Sequence, residues 1–386
     1  MRKQFRLILL ARALRNAAFG GLAVILALAL ADRGLDALTI GAVFTVALLA
    51  GAAFAALTGS LVARLGARWV LIAASLAMAL AGAMLVSAPT VALIFVAALL
   101  GAVSPTGQDV GPFIPVEQAL IAGESERGGA SMRRFSTYNI VGNSATAIGA
   151  LLAAAFAPAA VLVAYGVTGL LLASVYAALP AERVPKQATP RQNSARPRKR
   201  FGIVEQLTLL FGVDALAGGF VVQSFLAYWF HLRFGVGTQQ LGLMLFGANM
   251  LATLSLVLAP WLSKRIGLLR TMVFTHLPSN LLLIAVPYMP TYPLAVVILL
   301  ARFALSQMDV PTRQAFTMAL VAPEERARAA GWTNAVRPAA AAAAPVLAGL
   351  ALQNAAFGLP FIVAGGLKAA YDLTLLAVFS RHRELR

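Results

Sequence analysis

The sequence predicts an all-α membrane protein of twelve transmembrane helices, arranged as two pseudo-symmetric bundles of six. Three observations carry that expectation. The 386 residues are 60% hydrophobic and only 12% charged, with a mean hydropathy of +0.82, whereas a soluble domain is about half apolar and about a quarter charged. Apolar runs long enough to cross a bilayer core of about 30 Å recur twelve times. A polar stretch midway along the chain divides those runs six and six.

In order, the runs cover residues 7–31, 40–62, 69–87, 91–109, 135–156 and 160–179, then 203–230, 241–262, 271–288, 293–310, 332–352 and 357–379. They are continuous rather than alternating, which excludes an outer-membrane barrel, whose strands carry a two-residue period. The first run follows a basic Met1 to Arg6 and exceeds a signal-peptide core, so it is expected to remain as the first helix. The segment 181–201 is rich in Pro, Arg, Gln and Ser and reads as a basic cytoplasmic linker. It separates a first bundle, residues 1–180, from a second, residues 202–386.

The halves match each other at a shift of 200 residues. Gln108-Asp109-Val110 recurs as Met308-Asp309-Val310, Ala119 to Glu124 recurs as Ala319 to Glu324, and Gly149 recurs as Gly349. Three matches at one offset favour duplication over coincidence.

A net charge of +17 would suit nucleic acid, but its placement points to topology instead. With twelve spans, 23 of the 31 Lys and Arg fall on one face, which holds both termini and the linker, and only Arg33 and Arg233 fall on the other. The positive-inside rule makes the first face cytoplasmic, in the cytoplasmic (inner) membrane. The chain has no cysteine, which excludes disulfides and thiolate metal sites, and His231, His276 and His382 lack metal-ligand spacing. No cofactor or metal is expected. No Gly-Lys-Ser/Thr phosphate loop is present, so an ion gradient, by default protons, is the expected energy source.

Between the second and third runs, Gly59-Ser60-Leu61-Val62-Ala63-Arg64-Leu65-Gly66-Ala67-Arg68 resembles the Gly-x-x-x-Asp-Arg-x-Gly-Arg-Arg/Lys loop of the major facilitator superfamily, and Arg265-Ile266-Gly267 is a degenerate copy. The six-plus-six layout extends the resemblance over essentially the whole chain. Ala63 stands where that family carries Asp, and Ala67 where it carries a basic residue. The fourth run has Ala102 where many proton-coupled members carry Arg, opposite Arg302 of the repeat, and Ala344-Pro345 to Gly349 keeps a version of the antiporter Gly-Pro signature. The resemblance implies secondary active transport of a small solute by alternating access, by a protein that is a monomer in membrane lipid and not an enzyme.

Ionisable groups at membrane depth cost about 2.5–3.5 kcal/mol on insertion scales, so each asks for a partner or a task. At about 1.5 Å per residue, Asp214 lies about 16 Å into the seventh run and Arg15 comparably deep in the first. The resemblance implies that these runs face a central cavity, where Arg15 and Asp214 could meet with Asn16 nearby. Burial disfavours a carboxylate's charge and a guanidinium favours it, a balance that would let Asp214 trade a proton against substrate. A structural ion pair is the competing reading. Arg302, about 14 Å into the tenth run, is the candidate fixed cation for an anionic or polar solute. The resemblance also implies a cytoplasmic gate, in which Asp109 engages Arg64 or Arg68 and Arg337, with Asp309 and Arg313 as the second-half counterparts. Lys368 and Asp372, four apart, are expected to neutralise each other, and Glu117 is expected on a solvated amphipathic extension.

The leading functional expectation is proton-coupled efflux of amphipathic compounds by a drug-type antiporter. The alternative is uptake or exchange of a small organic anion, favoured by the arginines near the expected cavity. A lipid-modifying enzyme would need clustered His or paired carboxylates in the spans, and a receptor would need large extramembrane domains. The sequence offers neither.

Overall fold

The protein is described from a computed structural model covering residues 2–87, 90–123, 128–180, 202–321 and 326–380. The expected linker, 181–201, and the basic tail from Arg381 lie outside the described residues. Among those residues the chain is helical and holds no strand.

The first half runs through α1 (Arg2–Ala31), α2 (Ala37–Leu65), α3 (Ala67–Ser87), α4 (Val91–Leu99), α5 (Phe113–Gly123), α6 (Gly128–Ala155) and α7 (Pro158–Ala177). The second comprises α8 (Ile203–Gly219), α9 (Gln223–Phe234), α10 (Thr238–Ile266), α11 (Leu268–Ala285), a 3-10 turn (Val286–Tyr288), α12 (Tyr292–Ser306), α13 (Asp309–Leu320), α14 (Arg326–Gln353) and α15 (Leu359–Phe379). Among the described residues, ten helical spans are long and apolar enough to cross a membrane. The exposed surfaces of the two units carry Leu49, Leu76, Leu80, Leu152 and Leu170, and Leu254, Val257, Leu281, Val297 and Leu373, side chains that water would penalise and acyl chains accept.

The fourth expected run does not stay helical to Asp109. Helix α4 stops at Leu99, and the chain crosses 100–112 without helical structure before α5 begins. Gly101, Gly107 and Gly111 take φ of 65°, 71° and 72°, and Pro105 and Pro112 remove two backbone donors. The break is held from inside: the Ser104 hydroxyl donates to the Gln108 carbonyl, and the Tyr165 hydroxyl donates to the Ala102 carbonyl at 2.7 Å. The corresponding break in the second half is shorter, with only Gln307 and Met308 between α12 and α13.

The repeat is visible in backbone conformation. Gly66 ends α2 and Gly267 precedes α11, each at φ 87°. The Arg-x-Gly remnants on either side of the duplication therefore make the same left-handed reversal, one that a Cβ would strain.

The described residues fall into two compact units. One takes residues up to 180 together with Gln223–Phe246, and the other takes residues 202–222 and those from Gly247 onward. In the first unit α1 packs along α6, and α3 along α7; in the second α8 packs along α14, and α11 along α15. Small residues allow these close crossings, as in other helix pairs in lipid. A Cβ at Gly20 would run into the Thr146 carbonyl, one at Gly149 into the Ala17 carbonyl, and one at Gly219 into the Ala341 carbonyl. Because backbone cannot yield as a side-chain tip can, Gly149→Val should lower stability by about 1–3 kcal/mol or more. Gly366→Val, where the added Cβ meets nothing within 4 Å, should leave the melting temperature of the detergent-solubilised protein nearly unchanged. Equal melting of the two variants would refute this account of the α1–α6 crossing.

Candidate functional site

Each unit buries its own cluster of charges. In the first, Arg15 on α1 is fully buried, as is Glu117 on α5. Arg15 grips Glu117 with two parallel bonds, Nη1 to Oε1 at 3.0 Å and Nη2 to Oε2 at 2.7 Å, and its Nε reaches Asp109 Oδ1. The Tyr138 hydroxyl donates to Glu117 Oε2 at 2.6 Å and the Tyr176 hydroxyl donates to Oε1. Arg12 lies one turn before Arg15 on α1, pairs with Asp109 and donates to the Tyr138 hydroxyl at 3.2 Å. Its guanidinium lies 4.3 Å from the centre of the Tyr138 ring, and that of Arg15 lies 4.5 Å from the centre of Phe113. Two cations thus meet two carboxylates in a cage of aromatic rings, and the bidentate fork is the strong form of such a pair.

The second cluster centres on Asp214, buried on α8 within a core that includes Phe211, Met272, Phe316 and Tyr371. Its Oδ2 accepts from Arg313 Nη1 at 2.9 Å and Arg337 Nη1 at 3.1 Å, and its Oδ1 accepts from Lys368 Nζ. Arg313 also pairs with Asp309, one turn earlier on α13, at 3.1 Å, and Arg337 donates to the Phe211 carbonyl. Asp372 accepts from Asn280 Nδ2 at 2.9 Å and faces His276 Nδ1 at 2.9 Å. The opposite ring nitrogen of His276 is 3.9 Å from Asp214 Oδ1.

Several expected contacts are rearranged. Lys368 does not neutralise Asp372 along α15; it crosses to Asp214, because a Lys four residues before an acid is the poorer order on a helix and a long stem can reach a more buried carboxylate. Glu117 is no solvated residue, since Arg15 draws it inside. Asp109 is placed against Arg12 and Arg15, whereas Arg64 is exposed and the Arg68 guanidinium lies 5.8 Å from the centre of the Trp69 ring. Asp309, Arg313 and Arg337 come together around Asp214. Asn16 is fully buried beside Gly142, with neither amide atom hydrogen-bonded among the described residues.

Arg302, on α12, shares a helical stripe with Leu299, Phe303 and Ser306. Its Nε is buried without a partner and its guanidinium lies 4.7 Å from the centre of the Phe303 ring. Among the described residues no carboxylate pairs with it. No group of three or more His, Cys, Asp or Glu able to hold a metal occurs among those residues either.

The sequence profile of the Major Facilitator Superfamily matches residues 8–308. The chain belongs to that superfamily. It is 24% identical over 359 residues to a protein of Saccharomyces cerevisiae described as uncharacterized membrane protein YJR124C, covering 81% of this chain and 80% of the yeast protein. The fold matches the crystal structure of the nucleoside transporter NupG at a TM-score of 0.77, over 97% of this chain and 99% of that one, at 15% identity. It matches a D-xylose-proton symporter at 0.73, over 96% and 97% at 15% identity. The human organic anion transporter MFSD10 matches at 0.67, over 97% and 99% at 16% identity. The protein is thus a membrane transporter of the superfamily, and the likeness to the solved structures extends to the fold.

Removing one partner from a buried pair leaves the other charge uncompensated, a loss of about 3–5 kcal/mol. Glu117→Ala should therefore destabilise the protein far more than removal of the exposed Arg64 in Arg64→Ala, with Glu117→Gln in between because its one amide oxygen still accepts from one of the two tyrosines. Thermal unfolding in detergent checks the order, and a Glu117→Ala protein as stable as Arg64→Ala would refute the closed-cage description.

Proposed function

We propose that this transporter moves a small organic anion, coupled to protons, by alternating access, with both termini on the cytoplasmic side of a cytoplasmic membrane. The observation that carries the reading is Arg302, a cation inside an apolar helix with no counter-ion among the described residues. An unpaired guanidinium at membrane depth is costly to keep, and the cost is recovered when an anionic solute supplies the missing charge. Its planar fork suits a carboxylate or sulfonate, and the adjoining Phe303 ring suits an aromatic or apolar body. The orientation rests on the 23 Lys and Arg of the expected cytoplasmic face.

Efflux of amphipathic cations would ask instead for an available carboxylate. Asp214, the candidate for that task, already accepts from Arg313, Arg337 and Lys368, which moves the balance to the anion.

The test is counterflow in liposomes with radiolabelled benzoate, salicylate and nicotinate, against tetraphenylphosphonium as the cationic control. At least one anion should exchange, and Arg302→Ala should raise its KM about tenfold or more, the equivalent of about 1.4 kcal/mol of lost binding. Arg302→Lys, which keeps the charge and loses the fork, should fall between. Cation-stimulated flux that ignores Arg302, with no anion flux, would sink the proposal.

A further inference from the structure

His276 lies where a proton can be read by the whole second cluster. Its two ring nitrogens face two different carboxylates on two different helices, Asp372 on α15 at 2.9 Å and Asp214 on α8 at 3.9 Å. A neutral imidazole satisfies only the first: it donates Nδ1–H to Asp372 and turns a lone pair toward Asp214. Protonation converts that lone pair into a second donor, aimed at the same Asp214 Oδ1 that now accepts from Lys368.

The surroundings are charge-balanced. From α15 come Asp372, Lys368 and the Tyr371 ring, whose centre is 6.1 Å from that of the imidazole; from α8 comes Asp214; from α13 and α14, through Asp214, come Arg313 with Asp309, and Arg337. Asn280 lies one turn along α11 itself, and α12 carries Tyr292 and Arg302, with Arg302 Nε hydrogen-bonded to no group of the cluster. Three carboxylates therefore face three fixed cations, so the His276 proton would be the uncompensated charge of this cluster.

We propose that His276, clasped by Asp372, is the proton-binding site of this transporter, and that its protonation favours anion binding in the same unit. The inference rests on the anion reading above. A proton on His276 adds one positive charge to a unit that already holds the unpaired Arg302, so an anion binds more readily. By thermodynamic reciprocity the bound anion must then favour the proton. It also competes with Lys368 for Asp214, which loosens one tie between α8 and α15 when the proton is on. Proton and anion are expected to travel in the same direction.

The first measurement is nitrogen solid-state NMR on the full-length wild-type protein in bilayers, where only three histidines contribute and His276→Gln identifies the resonance. An imidazolium signal should grow as pH falls. It should weaken at a given pH in Asp372→Asn, and strengthen when the anion giving the largest Arg302-dependent counterflow is added to the wild type. The second measurement is transport of that anion. His276→Gln should retain anion-for-anion exchange within about twofold and lose accumulation driven by an imposed proton gradient by about tenfold or more, that is about 1.4 kcal/mol. A wild-type resonance that never protonates, or gradient-driven accumulation unchanged in His276→Gln, overturns the assignment while leaving the anion reading intact. A wild type that moves none of the three anions overturns the anion reading, and the proposed coupling falls with it.

Discussion

The need to match every buried charge is the constraint on which the rest of this structure depends. A helix in hydrocarbon satisfies its own backbone, and lipid tails supply no hydrophobic force between helices. What holds a particular set of helices together is therefore close packing at small residues and the few polar contacts that cannot be made elsewhere. Arg15 ties α1 to α5 and α7, and Asp214 ties α8 to α13, α14 and α15. The glycine crossings at Gly20, Gly149 and Gly219 let the backbones come near enough for those ties to form.

The two halves solve the same problem with opposite sign. In the first, the leading helix α1 supplies the central cation, and the acids come from Asp109 and from Glu117 on α5. In the second, the leading helix α8 supplies the central acid and the cations come from α13, α14 and α15. Helices α5 and α13 follow equivalent breaks in the duplicated chain, and they carry Glu117 and Arg313 respectively. Each buried cluster is thereby neutralised internally.

Two groups stand apart from that economy. Arg302 has no counter-ion, and His276 can add a charge to a cluster that is otherwise balanced. Both lie in the second unit. Among the described residues of the first unit, both Asn16 amide atoms, Arg12 Nε, Arg68 Nε and the Ser224 hydroxyl are also buried without a hydrogen bond, where an unsatisfied polar group costs about 1–3 kcal/mol.

The sequence by itself determined the fold class, the duplication and the approximate spans, because these depend on quantities additive along the chain: apolar length, charge placement and a fixed offset between matching segments. It placed Arg15, Asp214, Arg302, Arg313 and Arg337 within the spans for the same reason. It could not assign their partners. Depth along a helix is written in residue number, but the azimuth of each helix and its neighbours are not, so Glu117 read as a solvated residue, Lys368 as the mate of Asp372, and His276 as isolated. Helix α4 also ended early, though Gly101, Pro105, Gly107 and Gly111 were legible as breakers inside an apolar run. Only the tertiary structure decided which charges meet, because in a low-dielectric interior pairing is settled by which helix faces lie within about 3 Å of each other, a distance that no linear pattern records.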